Sequence, residues 1–472
     1  MSNLSEILNN SKYIDILNVA GKVGKDMGIK TYVVGGYIRD AILNRELKDI
    51  DIMVENNVFE FSSKLAKELK VKTIIKFEKF NTAKIPFQKC EIEVANARSE
   101  SYNKQSRKPK NVSPASIHND LIRRDFSINA LASSLHPDDF GDLIDLFEGV
   151  KNIHKGIINT PTDPDKTFID DPLRMLRAIR FASQLNFEIH PRIKASITKN
   201  KERISIVSQE RITAEIIKIL ETDIPSIGFY LLKETEFLKL IFPELDIMPG
   251  VEIINNKSHK DVFIHTLEVV DNAAKLSQKM EIRFAALVHD IAKPATKRFN
   301  QKKGWTFHGH EEIGRRMLVK VARKMKLPND LRDYLMLLTK LHLRPIALAK
   351  KEISDSAIRR VMFEAGEHID DLMKLCRADI TTKNPNKIKK YMKNFERVEM
   401  LMQNVKMKDE MKAFKSPVDG NEIMKTFSLT EGKVVGKIKK DIENAILDEK
   451  IKNTYDDAFK YMMKIKDQYI NN

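Results

Sequence analysis

The chain is poor in cysteine and has no long apolar run, and these two absences narrow the class of protein. Cys90 and Cys376 are the only cysteines in 472 residues, and they form no C-x-x-C pair. This usage favours a reducing, cytoplasmic location. No apolar stretch is long enough to span a bilayer, and the first residues show no basic region followed by an apolar core. We therefore expect neither a membrane protein nor a secretory signal peptide.

Two common nucleotide-binding motifs are also missing. The chain contains neither G-x-x-x-x-G-K-[ST] nor G-x-G-x-x-G, and it shows no internal repeat and no long low-complexity tract. A P-loop or Rossmann-type nucleotide site is therefore not expected.

Basic residues are in excess, with 82 Lys and Arg against 66 Asp and Glu, a formal net charge of +16 and a pI of about 9.4. This excess favours a polyanionic partner such as nucleic acid. A surface that is simply rich in lysine is the alternative explanation.

The length predicts about two to four domains. We divide the chain into residues 1–150, 151–225, 226–390 and 391–472. The first segment shows alternating apolar patterns typical of a small sheet, whereas the rest shows amphipathic helical patterns broken by Pro, Gly and Asn. The polar, basic residues 103–114 are expected to form a mobile linker. The predicted strands are residues 31–34, 49–54, 73–77, 83–86 and 91–95.

A diglycine turn follows the first predicted strand in the sequence YVVGGYIRD. Glycine lets the backbone approach a ligand closely, and the following helix start attracts phosphate. Arg39 can add a charged fork to the same phosphates. A tight strand-to-helix turn with a surface arginine is the alternative.

Three acidic residues lie on two later predicted strands. Asp49 and Asp51 are two positions apart, so they point to the same face. Two such carboxylates repel each other unless a cation lies between them, and Mg²⁺ favours oxygen ligands of this kind. Glu93 is our candidate for a third carboxylate. The alternative for Glu93 is an exposed edge strand with outward acids.

The order of several motifs resembles that of class II tRNA nucleotidyltransferases (CCA-adding enzymes) and bacterial poly(A) polymerases. The motifs are GGYIRD, DID, IEVANAR, LIRRDFSINALA, DDPLRMLRAIRFA and QERITAEI, and they span residues 30–220. The resemblance implies an α+β protein: a small mixed-sheet, polymerase-β-like nucleotidyltransferase head, a helical neck with a base-reading motif, and a mostly all-α body and tail, the tail binding tRNA.

The resemblance also implies residue roles. Asp49 and Asp51 match the Mg²⁺ ligands of the family. In the RRD motif, Asp125 matches a position near the ribose, and a buried Arg–Asp pair that holds a helix to the sheet is the structural alternative. The positions that match nucleotide contacts are Gly36, Arg39, Arg124, Asp125, Asp171, Arg174, Arg177 and Arg180.

Asp171 and Arg174 match the base-reading motif. A carboxylate acceptor and a guanidinium donor can imitate a Watson–Crick edge. Asp171 before Pro172 is equally suited to cap a helix, and the two roles are compatible. The family usually has Glu where this chain has Asp170. Arg180 lies about half a turn from Asp171 on a helical wheel, so its contact to the same base is less direct.

A second constellation lies in the third segment, where several of the 11 histidines fall close together in sequence. Imidazole with carboxylate suits Zn, Mn, Fe or Ni. The pattern resembles the HD phosphohydrolase domain over residues 258–382. A vestigial domain that serves only as a tRNA-binding body is the alternative. The candidate metal ligands are His265, His289, Asp290, His310, His342 and Asp379, and His308 lies in the same F-H-G-H-E sequence.

The predicted activity is template-independent addition of CCA to the 3′ end of tRNA from CTP and ATP, with Mg²⁺ and release of pyrophosphate. The alternatives are a poly(A) polymerase, a CC-adding or A-adding enzyme, and an HD phosphohydrolase with an inactive head. The predicted partners are the tRNA 3′ end and the two nucleotides, without a membrane, and no oligomeric state is predicted.

Overall fold

The computed structural model describes residues 2–88, 90–103, 106–255, 257–349, 354–413, 416–448 and 450–470. The chain divides into two compact units. The first comprises Met1–Ala347 and Ala365–Met392, and the second comprises Leu348–Glu364 and Lys393–Asn472. Among the described residues, no helix combines the length and the apolar character needed to cross a membrane.

The first unit begins with a mixed sheet flanked by helices. Its strands are β1 (Thr31–Val34), β2 (Ile50–Val54), β3 (Ile75–Phe77), β4 (Thr82–Phe87), β5 (Cys90–Asn96), β6 (Arg98–Asn103), β7 (Ser106–Pro114), β8 (Leu131–Ser134) and β9 (Leu143–Asp145). Its helices are α1 (Ser5–Asn9), α2 (Ile14–Met27), α3 (Gly36–Ile42), α4 (Val58–Glu68), α5 (Ile117–Ile122) and α6 (Gly149–Lys155).

Seven of these strands form one sheet in the order β3-β4-β5-β2-β1-β8-β9. β2 and β5 are parallel, and the other neighbours are antiparallel. The predicted mixed sheet is confirmed, and each of the five predicted strands is present with slightly different bounds. β8 and β9 were not predicted, because both are short and neither has a clear alternating pattern.

Residues 103–114 differ from the expected mobile linker. β6 and β7 pair as an antiparallel hairpin with Arg98 opposite Pro114, while Lys104 and Gln105 lie outside the described residues. Main-chain hydrogen bonds hold such a ribbon together, so it does not need the apolar alternation that predicts a sheet strand.

The two faces of the sheet are covered unequally. Val33, Ile52 and Val94 belong to the large core that also contains Leu17 of α2 and Phe61 of α4. On the other face, Tyr32, Val34 and Met53 pack with Ile117 and Leu121 of α5 in a smaller cluster. Because side chains alternate along a strand, Asp51 shares the lightly covered face with Met53. The catalytic candidates therefore lie on the face where the smaller cluster leaves room for a cleft.

The rest of the first unit is mainly helical. Its helices are α7 (Pro164–Asp170), α8 (Leu173–Leu185), α9 (Pro191–Asn200), α10 (Gln209–Leu220), α11 (Pro225–Glu234), α12 (Leu238–Ile241), α13 (Pro243–Asp246), α14 (Val262–Leu276), α15 (Met280–Val288), α16 (Lys293–Thr296), α17 (His310–Met325) and α18 (Asn329–Leu341). Short strand pairs are β10 (Ile157–Ile158) with β11 (Glu188–Ile189), β12 (Ile253–Ile254) with β13 (Lys257–Ser258), and β14 (Arg298–Asn300) with β15 (Gly304–Thr306).

The remaining helices are α19 (Arg344–Leu348), α20 (Asp355–Ala365), α21 (Ile369–Ala378), α22 (Pro385–Ala413), α23 (Gly420–Phe427), α24 (Lys433–Leu447) and α25 (Tyr455–Ile470), of which α21 belongs to the first unit. Short 3₁₀ helices are Glu78–Phe80, Ser127–Asn129, Lys201–Ile206 and Gly366–His368. Ile423, Ile438 and Met462 form part of an apolar cluster within the second unit. The predicted mostly helical body and tail are confirmed.

Candidate active site

The turn between β1 and α3 brings the backbone close to a charged side chain. Gly35 has φ of 69°, a region that side chains other than glycine adopt reluctantly. A Cβ atom at Gly35 would lie 2.7 Å from an NH1 atom of Arg124. At Gly36 the nearest atom would be 3.5 Å away, an ordinary contact. The conformational need for glycine therefore falls on Gly35, next to the predicted Gly36.

The three predicted carboxylates line one cleft. Asp51 of β2 is in register with Glu93 of the parallel neighbour β5, and Asp49 lies just before β2. β5 has partners on both sides, so the edge-strand explanation for Glu93 is wrong. Burial, together with the charges of Glu93 and Asp49, raises the pKa of Asp51 to about 6. This cluster of negative charge has the oxygen donors that a hard divalent cation needs.

Arg39 is buried beside the cleft and is held by two partners. Its Nε and NH2 atoms donate to the two oxygens of Asp40 at 3.0 and 2.8 Å, and NH1 donates to the side-chain oxygen of Asn129 at 2.6 Å. The alternative of a surface arginine is wrong, since Arg39 is only 5% exposed. A role as a phosphate contact stays a prediction.

The RRD segment is fixed by the buried carboxylate of Asp120. Arg123 NH2 donates to Asp120 at 2.5 Å, and Arg124 Nε donates to its other oxygen at 3.1 Å. Arg124 NH1 also donates to the carbonyl of Asn129 at 3.3 Å. The Arg124 guanidinium is thereby positioned over the diglycine turn.

Asp125 joins the head to α8. Its Oδ2 accepts from Arg177 Nε at 2.7 Å, and its Oδ1 accepts from the Phe126 N–H at 2.8 Å and from the Asn129 side chain at 3.1 Å. Burial alone would raise the pKa of Asp125, but the charges of Arg177 and Arg174 and the hydrogen bonds lower it. The expected structural alternative, a buried Arg–Asp pair between helix and sheet, is present.

α8 supplies the other wall of the cleft. Asp171 accepts from the Leu173 N–H at 3.1 Å, although Pro172 and not Asp171 is the N-cap residue of α8, and Arg174 NH2 donates to the Arg123 carbonyl at 2.5 Å. Arg177 and Arg180 follow along the same helix and also line the cleft.

Arg180 is more buried than the other arginines of α8, and its guanidinium has two side-chain hydrogen-bond partners. Its Nε donates to Glu215 of α10 at 2.7 Å, and NH1 donates to Gln184 at 2.7 Å. Its guanidinium lies 3.8 Å from the ring centroid of Phe181. Arg180 is thus tied to α10, in keeping with a less direct contact to the base.

Several cleft residues were missed by sequence reasoning. Phe181 lies beneath Arg39, Arg177 and Arg180, and Arg211 lies 3.6 Å from the Asp171 carboxylate. Arg211 and Glu215 belong to the recognised motif QERITAEI, which was the available signal. The cleft has a volume of about 790 Å³ and contains Gly36, Arg39, Asp49, Asp51, Glu93, Arg98, Arg123, Arg124, Asp125, Asn129, Asp171, Arg174, Arg177, Arg180, Phe181, Arg211 and Lys218 among others.

The six metal-ligand candidates of the third segment also come together. The donor atoms form two groups, His265 with His289 and Asp379, and Asp290 with His310 and His342. His308, by contrast, is exposed. His289, Asp290 and His342 are almost completely buried, with exposures of 1%, 1% and 2%.

Each histidine of this cluster is oriented through its Nδ1 atom. Nδ1 of His289, His310 and His342 lies 2.8, 2.8 and 2.6 Å from the carbonyl three residues earlier. Nδ1 of His265 lies 3.0 Å from the Thr381 hydroxyl. Metal-bound histidines are typically held in this way, with Nε2 free for the ion.

Charge in the cluster is only partly balanced. Nε2 of His289 and both oxygens of Asp290 are buried without a hydrogen bond among the described residues, although Lys293 forms an ion pair with Asp290 at 2.5 Å. Burial and the neighbouring His289 lower the pKa of His342 to about 4, which keeps its imidazole neutral. A buried, neutral imidazole beside carboxylates is a suitable ligand for a divalent metal.

Comparison with known proteins agrees with this arrangement. Residues 31–159 match the poly A polymerase head domain, residues 186–248 match the "Probable RNA and SrmB- binding site of polymerase A", and residues 262–381 match the HD domain.

Individual relatives and one solved structure cover different parts of the chain. A multifunctional CCA protein of Pseudoalteromonas atlantica is 32% identical over 367 residues, covering 74% of this chain and 85% of the relative. An A-adding tRNA nucleotidyltransferase of Aquifex aeolicus is 42% identical over 161 residues, but these cover 34% of this chain and 19% of the relative. The Thermotoga maritima CCA-adding enzyme, solved with tRNA, shares the fold with a TM-score of 0.58, 20% identity and 98% coverage of both chains.

The family matches, the shared fold and the length of the alignment with the CCA protein all agree. The chain therefore belongs to the family of multifunctional CCA proteins, which are tRNA nucleotidyltransferases with an HD domain.

Proposed function

We propose that this protein adds C, C and A in turn to the 3′ end of tRNA, using CTP and ATP and releasing pyrophosphate. The observation that carries the proposal is that three carboxylates and the Asp171–Arg174 pair line a single cleft. Its volume of about 790 Å³ is of the size that binds nucleotide-like ligands.

The carboxylates fit Mg²⁺. Asp49 and Asp51, supported by Glu93, would hold it, because burial and the two neighbouring carboxylates raise the pKa of Asp51 and a cation would relieve that cost. When bound, Mg²⁺ supplies charge that lowers the pKa of the primer hydroxyl and neutralises the leaving pyrophosphate. The chain itself positions the reactants for in-line attack by the tRNA 3′-hydroxyl on the α-phosphate, so no covalent enzyme intermediate is needed.

Base selection belongs to Asp171 and Arg174. The carboxylate accepts a hydrogen bond from the amino group of cytosine or adenine, and the guanidinium donates to the adjacent ring nitrogen. Uracil and guanine present a carbonyl oxygen where these bases present the amino group, so the Asp171 carboxylate repels them. Arg211 lies 3.6 Å from the Asp171 carboxylate and so faces the same part of the cleft.

The arginines of the cleft contact the triphosphate, and Asp125 contacts the ribose. Arg39, Arg124 and the diglycine backbone bind phosphates, and Arg177 and Arg180 complete the positive wall. Asp125 acts near the ribose while it remains paired with Arg177. The second unit, which contains the helical tail, binds the body of the tRNA.

Ordered addition distinguishes this proposal from its alternatives. Purified protein is incubated with Mg²⁺ and tRNA that lacks CCA, or tRNA that ends in CC, with CTP, ATP or both. Addition of C, C and A in order is the expected result. Addition of A only to the CC-ended substrate indicates an A-adding enzyme, the activity named for the Aquifex relative, and a long A tail indicates a poly(A) polymerase.

A second activity is supported by the histidine cluster. We propose that it binds divalent transition metal and hydrolyses phosphate esters, because four oriented Nε2 atoms, the buried Asp290 carboxylate and the partly buried Asp379 carboxylate converge there. Hydrolysis of a 2′,3′-cyclic nucleotide to its 2′- or 3′-monophosphate that requires added Mn²⁺ or Ni²⁺ is the expected result. Metal-independent hydrolysis, or none with any divalent metal, rejects this activity and favours a vestigial domain.

Both cysteines are buried and unpaired. We propose that the protein works in the cytoplasm, where thiols stay reduced.

A further inference from the structure

The face of the sheet that carries the catalytic carboxylates continues beyond Glu93 onto β4 and β3. Lys84 of β4 is in register with Glu93 of β5, and Ile75 of β3 is in register with Lys84. Residues directly opposite each other on neighbouring strands point to the same face. One row of side chains therefore runs from Asp51 and Glu93 to Ile75 at the outer strand of the sheet.

A second row lies beside the first, two residues along β4. Thr82 of β4 is opposite Ala95 of β5 on one side and opposite Phe77 of β3 on the other. Thr82 and Ala95 line the nucleotidyltransferase cleft, so Phe77 lies one strand beyond the cleft wall. Arg98, which also lines the cleft, donates to the Phe80 carbonyl at 3.2 Å and thereby ties the connection between β3 and β4 to the cleft.

The outer end of this face is apolar and open to solvent. Ile75 and Phe77 are 45% and 38% exposed, and β3 is an edge strand of the sheet. Lys76, between them, lies on the opposite face, where its ammonium is 5.9 Å from the centroid of the Phe59 ring. Exposed apolar side chains that adjoin a binding cleft are typical of a surface that a partner covers.

The direction of nucleotidyl transfer indicates the partner. The diglycine turn follows β1, and Arg39 and Arg124 adjoin it, so the proposed triphosphate contacts lie on the β1 side of the carboxylates. The sheet order β4-β5-β2-β1 places Lys84 on the other side. In an in-line displacement, the attacking hydroxyl and the leaving pyrophosphate lie on opposite sides of the α-phosphate. This geometry requires the tRNA 3′ end to approach over β5 and β4.

We propose that Lys84 and Phe77 form a docking surface for the last nucleotides of the tRNA 3′ end. Lys84 binds a backbone phosphate of the last or the second-last linkage, and Phe77 stacks against a base. Single-stranded nucleic acid is commonly held in this way, by cations along its backbone and by aromatic rings against its bases. The inference rests on the proposed addition to tRNA and adds the residues that orient the primer.

Lys84 can exchange its present partner for a phosphate. Its ammonium lies 2.5 Å from Glu91 and 3.8 Å from Glu93. The hydrogen bond to Glu91 raises the pKa of Lys84, so the side chain is charged at neutral pH. The side chains of Lys84 and Glu91 are 31% and 45% exposed, and an ion pair this open to water contributes little to stability. A primer phosphate can therefore replace Glu91 without loss to the fold.

The test compares the Michaelis constants for tRNA and for the nucleotide. The full-length protein extends tRNA ending in CC with ATP, and each substrate is varied while the other is saturating. Phe77→Ala is expected to raise KM for tRNA by about 5-fold or more, because it removes a stacked base contact. Lys84→Gln is expected to raise it by about 5-fold, because it removes a charged hydrogen bond to phosphate. KM for ATP should stay unchanged in both variants.

Two further variants serve as controls. Lys76→Gln removes a lysine of the neighbouring strand on the opposite face, so both Michaelis constants should match those of the wild type. Lys84→Arg keeps the charge and should recover most of the loss seen in Lys84→Gln. Circular dichroism and the thermal midpoint confirm that each variant is folded.

Primers that lack one phosphate charge locate the contact. A methylphosphonate replaces the phosphate of the last or of the second-last linkage in the CC-ended tRNA. One of these primers should raise KM in the wild type, in Lys76→Gln and in Phe77→Ala, but cause no further increase in Lys84→Gln. Such non-additivity shows that the lysine and that phosphate interact.

Three results overturn the inference. They are an unchanged KM for tRNA in Lys84→Gln or in Phe77→Ala, equal increases in KM for tRNA and ATP, and full additivity of Lys84→Gln with both modified primers. A dimer that dissociates in Phe77→Ala, while KM for tRNA stays unchanged, assigns the surface to a second copy of the chain. Failure of the wild-type protein to extend any tRNA rejects the proposed function itself, so the two failures are recognised separately.

Discussion

Arg177 of α8 reaches across to the head and closes on Asp125 with Nε at 2.7 Å and NH2 at 2.6 Å from the same carboxylate oxygen. Asp125 is 8% exposed and the Arg177 side chain is 33% exposed, so the carboxylate is nearly removed from water while the guanidinium stays partly solvated. Asp125 matches the ribose-contacting position of the family, and its ion pair with Arg177 also links α8 to the head. Structural and functional roles can be separated by a substitution that keeps the shape of the side chain.

Asp125→Asn is expected to destabilise the first unit by about 3 kcal/mol, because it leaves the Arg177 charge without its partner. The folded-state pKa of Asp125 is lowered. Its stabilising effect is therefore present above the ordinary Asp pKa and is lost as the pH falls towards the folded-state value. Urea unfolding should show a large difference from wild type at pH 7 and a shrinking difference below about pH 4.

The matched control is Asp138→Asn. Asp138 pairs with Lys25 at 2.8 Å, but their side chains are 68% and 47% exposed, so the loss should be much smaller than for Asp125→Asn. If the two variants lose equal free energy of unfolding, Asp125 does not stabilise the first unit through a buried ion pair. Discrimination between CTP and dCTP by Asp125→Asn reports separately on the ribose contact.

Asp51→Asn is expected to lower CCA addition by about 10³-fold or more, since a bound metal contributes several kcal/mol to such a transfer. It should also stabilise the metal-free protein at pH 7.5. The folded-state pKa is raised to about 6, so ionising Asp51 costs up to about 3 kcal/mol above that pH, and the cost disappears below about pH 4. Thermal midpoints in EDTA at both pH values check the sign.

Glu91→Gln is the matched control for the carboxylates. Glu91 lies two residues before Glu93 on β5 and pairs with Lys84 at 2.5 Å, outside the residues that line the cleft. We expect Glu93→Gln to reduce addition and Glu91→Gln to leave it near wild type. Retained addition in Asp51→Asn contradicts the metal assignment.

The sequence was sufficient for the elements whose side chains alternate clearly. β1 is a short apolar run, β2 is an apolar run that carries Asp51, and the register of Asp51 with Glu93 follows once β2 and β5 are neighbours. The hairpin of β6 and β7 was missed because main-chain pairing of polar residues has no hydrophobic pattern. Glycine is required at position 35 partly because the Arg124 side chain lies against it. That contact joins residues far apart in sequence, so the local sequence does not predict it.

Long-range pairing explains most of the remaining differences at the site. Arg180 binds Glu215 because α8 packs on α10, and Arg39 is enclosed by Asp40 and Asn129 because the RRD segment folds over α3. The sequence motifs predicted which elements contribute to the cleft. The hydrogen-bond partner of each arginine depends on how those elements pack. Where many arginines line one cleft, spacing alone does not assign a partner to each.

Arg174→Ala is expected to relax base selection by about 10- to 100-fold, because a bidentate contact contributes about 1–3 kcal/mol of discrimination. The overall rate should also fall, since Arg174 donates to the Arg123 carbonyl at 2.5 Å. The informative quantity is thus the ratio of rates with CTP or ATP to those with UTP or GTP. Arg192→Ala, which removes an exposed arginine bound to Asn159, should preserve this ratio, and a preserved ratio in Arg174→Ala rejects base reading by Arg174.

Asp290→Asn is expected to abolish metal-dependent hydrolysis of the 2′,3′-cyclic nucleotide and to leave CCA addition close to wild type. Asp290 is 1% exposed and faces the donor atoms of both histidine groups, so no other residue of the cluster has the same access to both. None of the residues of this cluster lines the nucleotidyltransferase cleft, so the two chemistries have separate ligands. Asp51→Asn should therefore show the reverse pattern, with addition lost and hydrolysis of a 2′,3′-cyclic nucleotide to its monophosphate retained. Loss of both activities in Asp290→Asn, with its thermal midpoint unchanged, would indicate that the cluster acts on the head and contradict two independent active sites.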